Sequence, residues 1–303
     1  MKQLEGFIEN MPFDEYAAVD ALNGSKIVHM RRSPMKYRHE IDNPSPASPA
    51  MVLGSAAHRL ILEPDLVGEF AVWGLVEDQK VRRGKVWDAF QAANEGKMIV
   101  TAAEQESMVG VAVGARRNLP LRKYVNAYGT TEVSMFWRHP HTGRRFKARL
   151  DKIIVELFAD GGEAVVEVHD RIKTVRKPVA KHTIVDLKTT RDCRDFRFGP
   201  QAYQLGYVVK MAHYWEGYRT LTGIEPAIKL GAIEDKPPFE SALYNVPREL
   251  ILLGLEERDN LVNRIEECEK SGIWPARQED EQDLVMPPWA STEAETELDL
   301  EMA

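Results

Sequence analysis

Four short β-branched segments in the middle of the chain, with helical patterns before and after them, set the narrowest limits on its fold. TEVSMFWRH (131–139) and RRFKARLDKIIVEL (144–157) flank a turn at His141 to Gly143 and read as a hairpin, with Gly143 as the turn residue. EAVVEVH (163–169) and TIVDLK (183–188) give a third and a fourth strand, and the basic stretch DRIKTVRKPVAKH between them reads as a flexible excursion. Two further strands are expected around 227–235 and 239–246. Helices frame this part. SAAHRLILE after Gly54 has the apolar spacing of a short buried helix closed by Pro64, and Thr101 with Glu104 is a capping box that opens a helix through about Arg117. A helical pattern follows from about 199 to 222. Pro247 then opens a long helix to about Lys270, whose apolar side is Ile251, Leu252, Leu255, Leu261, Val262 and Ile265. The stretch to about Arg38 is helical in places and leads into a Pro/Ser loop at 43–50. This order predicts an α/β (α+β) core, a mixed central β-sheet flanked by helices, forming a single domain over 1–277 with N-terminal helical decoration.

The net charge of −7, taken alone, argues against a nucleic-acid partner. Nine acids after Arg277, from Glu279 to Glu301, account for that and more, and without them the body is +2. Residues 278–303 therefore form an acidic tail with few apolar residues, expected to stay unstructured. The body keeps local basic surfaces: Arg31, Arg32, Lys36 and Arg38; Lys80, Arg82, Arg83 and Lys85; and Arg171, Lys173, Arg176, Lys177 and Lys181. These are candidate phosphate contacts. The aromatic residues Trp87, Phe90, Tyr203 and Trp215 fall at helical spacings and are expected in the core. Cys193 and Cys268 are the only cysteines, too few for a Cys-ligated zinc or iron–sulfur cluster. No run has the length of an apolar membrane span and the first residues lack a signal-peptide pattern, so a cytoplasmic protein is expected.

The residues that carry chemistry lie on the strands. Asp186 and Lys188, two apart on a strand, share one face. Asp151 ends the alternation Arg145, Lys147, Arg149, Asp151, which lines one face with three cations leading to a carboxylate. Two carboxylates suit a hard Mg²⁺ ion, and a lysine beside them orients water or offsets charge on a phosphodiester.

KARLDKII (147–154) followed by TIVDLKTT (183–190) resembles the PD-(D/E)xK nuclease superfamily. More closely, it resembles the exonuclease VIII (RecE-type) nuclease domain and its phage relatives. The resemblance runs over roughly 23–220 through GSKIVHMRRSPMKYRHE, LGSAAHRLILEP, MIVTAAE, TEVSMFWRHPHTGRRFKARLDKII and IVDLKTTRDCRDF. It implies Asp151 and Asp186 as metal-binding catalytic carboxylates, Lys188 as the catalytic lysine and His58 as a further metal ligand. Glu132 is implied as a supporting acid, and Gln204 as the glutamine that approaches the DNA end. The chain departs from the family in a 34-residue interval between Asp151 and Asp186, and in placing Tyr207 three residues after Gln204 where the motif has four.

The resemblance implies a Mg²⁺-dependent 5′-to-3′ exonuclease on double-stranded DNA ends, with Mn²⁺ also supporting activity. It leaves 3′ single strands for recombination in a bacterial cell or a phage-infected one. A homo-oligomeric ring around the duplex and a single-strand annealing protein as partner are also implied. An endonuclease or other repair nuclease of the same superfamily, and a DNA-binding protein that keeps the fold without hydrolysis, are the alternatives.

Overall fold

A computed structural model describes residues 4–45, 48–64, 70–75, 81–158, 163–168, 171–176, 179–277, 281 and 283. The elements run β1 (Gly6–Ile8), α1 (Phe13–Ala18), α2 (Gly24–His29), α3 (Pro34–Asp42), α4 (Pro49–Leu62), β2 (Phe70–Trp73), α5 (Lys85–Ala93), β3 (Met98–Thr101), α6 (Ala102–Arg117) and α7 (Leu119–Asn126). They continue with β4 (Thr130–Arg138), β5 (Arg145–Phe158), β6 (Glu163–Val168), β7 (Arg171–Arg176), β8 (Val179–Thr190), α8 (Asp195–Gln204), α9 (Tyr207–Thr222), β9 (Ala227–Glu234), β10 (Ser241–Val246) and α10 (Arg248–Ser271).

The period-two segments assemble into a six-stranded sheet in the order β1-β4-β5-β8-β9-β10. All neighbours are antiparallel except β8 and β9, which run parallel. That parallel pair requires a crossover, and α8 and α9 provide it. Apolar residues of the sheet feed two clusters. One joins Met135, Trp137, Leu150 and Ile184 to α2, α9 and α10 through Ile27, Val209, Ala212 and Ile265. The other joins Ile154, Val185 and Leu187 to α4, α6 and α7 through Ala56, Ile61, Val111 and Leu121. The N-terminal helices are thus part of the core: Ile27 and Met30 are fully buried. No described helix is long and apolar enough to cross a membrane.

Local rules place most helix ends. Thr101 and Glu104 form the capping box at the start of α6. Ser48 caps α4, with Pro49 in its first turn, so the Pro/Ser loop ends two residues earlier than its composition suggests. Four expectations need correction. The basic stretch after 169 is no loose excursion: β7 pairs antiparallel with β6, and β8 begins at Val179. The helical pattern over 199–222 is two helices, because Gly206 adopts φ +70° between them and a side chain there would run into Val28. Leu252 lies on the solvent side of α10, where the buried stripe uses Gly254 and Arg258 instead. Tyr203 is 54% exposed.

The row Arg145, Lys147, Arg149 also does different work from that expected. Arg145 is exposed, but Lys147 is buried, and its Nζ donates to the carbonyls of Tyr16, Ala17 and Val19 at 2.8, 3.0 and 2.7 Å. It closes the C-terminal end of α1 rather than meeting phosphate. Arg149 donates to Glu132 and to the Met11 carbonyl.

Beside Lys147, the fully buried His213 donates from Nε2 to the Lys147 carbonyl at 3.1 Å, between Trp137 and Phe146. Burial, with Arg258 adding to it, pushes this imidazole down to about 3. Below about pH 6.5 the unfolded chain takes up a proton that the folded chain refuses, so stability falls with pH by up to about 1.4 kcal/mol per unit. Melting temperature should drop from pH 7 to pH 5, and His213→Gln, although less stable at pH 7, should show a shallower slope.

Candidate functional site

Pairing between β5 and β8 stops where the acids begin, while β8 stays paired with β9 through Asp186 and Lys188. The β5–β8 ladder ends at Lys152↔Val185, one step before Asp151 and Asp186 would face each other. Beyond that point a side chain replaces the main chain: Asp151 Oδ2 accepts from the Leu187 N–H at 2.7 Å. One carboxylate is thereby seated on the peptide between Asp186 and Lys188. The β4–β5 ladder skips the facing pair Glu132 and Asp151 in the same way, and Glu132 adopts φ +51°. A non-glycine residue there costs about 1–3 kcal/mol. Alternation breaks across Asp151 too, since Leu150 and Ile153 share one core cluster.

Lys188 Nζ forms an ion pair with Asp186 Oδ2 and also donates to the Leu187 carbonyl at 3.1 Å. Asp186 Oδ2 is buried, and the Lys188 ammonium is its ion-pair partner. From the opposite side α4 brings His58, with Nδ1 3.6 Å from Asp151 Oδ2 and Nε2 buried and unpartnered. Small residues permit the approach: a Cβ at Gly54 would stand 3.3 Å from Thr189 Oγ1. Glu132 sits at the margin, its Oε2 held by Arg149 Nε at 2.7 Å.

Burial dominates the electrostatics. It raises Asp151 to about 6 against the pull of Lys188, and Glu132 adds to the rise. It raises Asp186 too. Burial, helped by Lys188, lowers His58 to about 4, so its imidazole is neutral at pH 7. For Lys188 burial works downward, but Asp186 and Asp151 overcome it and hold the ammonium above the ordinary lysine value. Two buried carboxylates, a neutral imidazole and an unpartnered ring nitrogen fit a hard or borderline divalent cation. Asp151, Asp186 and His58 are the residues that would hold it.

The structure thus brings His58, Asp151, Asp186 and Lys188 together, with Glu132 beside them. Gln204 stands apart, exposed at the last turn of α8. Gln201 is the glutamine tied to β8, accepting from Thr190 Oγ1 at 2.7 Å. Three residues of α9 that the strand motifs did not reveal face the acids: Tyr207, Lys210 and Tyr214. Lys188 Nζ lies 5.3 Å from the Tyr207 ring centre and Lys210 Nζ 5.4 Å from it. Burial, then Asp186 and Asp151, raise the Tyr214 phenol well above its usual value. Their i, i+3, i+7 spacing was the available signal.

The basic clusters are partly spent. Arg31 holds both oxygens of Glu257, Arg38 pairs with Asp42, and Arg82 pairs with Glu104. Lys80, the side chains of Arg171, Lys173, Arg176 and Lys177, and most of the acidic tail lie outside the described residues. A second group of ligand atoms, from Cys193, Glu234 and Glu240, falls within 4.8 Å. Burial, then Glu234, pushes that thiol up to about 11, so it is protonated at neutral pH and a poor ligand. A cavity of about 690 Å³ is lined by His182, Trp215 and Arg248 at the far end of β8 from Lys188, and none of the acids lines it.

Residues 162–283, which include Asp186 and Lys188, match a PDDEXK-like domain of unknown function (DUF3799). A crystal structure of a candidate exonuclease from Eubacterium rectale superposes with a TM-score of 0.57 at 14% identity, covering 95% of this chain and 100% of that one. LHK-Exo in complex with dAMP gives a TM-score of only 0.26 at 13% identity, covering 72% of this chain and 92% of that one. No curated protein matches the sequence. The fold is therefore the mixed α/β fold of the PD-(D/E)xK nucleases.

Ionising Asp151 and Asp186 without a cation costs folded stability. The cost is absent below about pH 4 and grows as pH rises through the raised carboxyl values. At pH 7.5 in EDTA, Asp151→Asn should melt above the wild type, with the gap closing toward pH 4. Mn²⁺ at 100 times its Kd should stabilise the wild type by about 2.7 kcal/mol and leave Asp186→Asn unmoved.

Proposed function

We propose that the chain is a divalent-metal-dependent deoxyribonuclease, a 5′-to-3′ exonuclease acting on double-stranded DNA ends and leaving 3′ single strands for recombination. The observation that carries the hydrolytic reading is the seating of Asp151 on the Leu187 N–H, which gathers two carboxylates and one lysine at a break in the sheet. The PD-(D/E)xK fold supports it, and exonuclease mode is supported by the RecE-type motifs in their sequence order.

Asp151, Asp186 and His58 hold the metal, Mg²⁺ or Mn²⁺. When bound, it polarises the phosphodiester and lowers the pKa of water. Lys188 stays an ammonium because two carboxylates face it, and it offsets negative charge building on the phosphate. Glu132, neutralised by Arg149, braces the strand that carries Asp151. Gln204, on the exposed end of α8, contacts DNA rather than metal. A cavity of about 390 Å³ lined by Asn23, Lys26, Arg149 and Tyr214 gives a nucleic-acid strand room, and its Arg149 is the partner of Glu132. No Walker-type phosphate loop occurs in the sequence, so processive digestion is assigned to a homo-oligomeric ring around the duplex. We place the enzyme in a bacterial cytoplasm, handing single strands to an annealing protein.

Purified protein with Mg²⁺ should degrade end-labelled linear duplex, spare closed circular DNA and be silent in EDTA. Asp186→Ala and Lys188→Ala should each lose activity by about 10²-fold or more while keeping the wild-type circular dichroism spectrum. Cleavage of the circle points to an endonuclease. Wild-type activity in a folded Asp186→Ala protein refutes the site.

A further inference from the structure

Lys210 is the cation of the site that the chemistry above leaves unused. Its neighbours have acids: Lys188 has Asp186, Arg31 has Glu257 and Arg149 has Glu132. The lysines with structural duties have carbonyls: Lys147 holds three, and Lys152 Nζ donates to the Val125 carbonyl at 2.6 Å. Among the described residues Lys210 has neither an ion pair nor a hydrogen bond from its ammonium, which lies only against the Tyr207 ring. Its stem is fixed by the crossing of α2 and α9, where a Cβ on Gly24 would stand 3.3 Å from Lys210 Cα and Cγ. Burial, then repulsion from Lys188, lowers its ammonium to about 8, with Arg31 contributing. The fold therefore keeps a half-buried ammonium at a cost, near the same aromatic ring as the catalytic lysine. An anion arriving there removes that cost.

We propose that Lys210 is a phosphate-contacting residue of this site, holding the sugar–phosphate backbone of bound DNA beside Tyr207, the ring it shares with Lys188. The choice of DNA as the polyanion rests on the nuclease reading above. The side chain fits this role because its stem is held while its head is free, so little freedom is lost when a phosphate docks. The contact is to the backbone and independent of base sequence.

Binding separates this role from a structural one. A fluorescein-labelled duplex is titrated with full-length protein in EDTA, which prevents cutting, over a series of KCl concentrations. Lys210→Met should bind about tenfold more weakly at low salt. The slope of log K against log salt should shrink by about 0.9 for a duplex contact, or about 0.7 for a single-strand contact. Lys210→Arg should keep wild-type affinity and slope. Lys210→Met should melt no lower than the wild type in EDTA, since an unpaired cation has been removed; Lys210→Gln serves if the methionine variant does not fold. Unchanged affinity and slope in the neutral variants, with a wild type that binds and cuts, overturn the proposal alone. A wild type that binds DNA but never cuts with Mg²⁺ or Mn²⁺ overturns the nuclease reading alone. A wild type that does not bind duplex DNA overturns both.

Discussion

A carboxylate that takes the place of a backbone carbonyl organises this molecule. If the β5–β8 ladder continued past Lys152↔Val185, the Leu187 N–H would need a main-chain acceptor and Asp151 would be driven away from Asp186. Instead the Asp151 side chain satisfies that donor, the strands part, and the gap is where Asp186, Lys188 and His58 converge. The two apolar clusters on either side of the sheet hold the opening against collapse, with Leu187 and Val185 packed on one side and Ile184 on the other. Glu132, in its left-handed conformation on β4, belongs to the same interruption.

The cluster so formed is electrostatically incomplete. Burial pushes both carboxyls up and the imidazole down, and one ammonium opposes two acids. The carboxyl and imidazole shifts disfavour charge, whereas that of Lys188 favours it; a bound cation would reverse the sense of both carboxyl shifts by favouring their ionised forms. On α9, Lys210 likewise has no ion-pair partner among the described residues. A bound cation and a phosphate backbone, as proposed above, would supply the charges that this arrangement leaves unopposed.

How much of this the sequence disclosed depends on whether the signal was local. The capping box at Thr101 and Glu104, the D-x-K pair on β8 and the Gly143 turn are set by residues within a few positions of one another, and each was legible. The convergence of His58 with Asp151 needed the resemblance to known nucleases, because nothing in SAAHRLILE separates a ligand from a core histidine. What stayed hidden was tertiary. Lys147 reads as a surface cation until α1 lays three carbonyls over it, and the face made by Tyr207, Lys210 and Tyr214 was obscured because Gly206 cuts one apparent helix into two.

The position of the metal tests the central claim most directly. Crystals grown with Mn²⁺ and measured near the manganese absorption edge should show an anomalous peak bounded by the carboxylates of Asp151 and Asp186 and by His58 Nε2, and the peak should vanish in Asp186→Asn. A map with no peak between these residues, or with manganese only at Cys193, Glu234 and Glu240, would contradict the claim that the interrupted ladder was built around a cation.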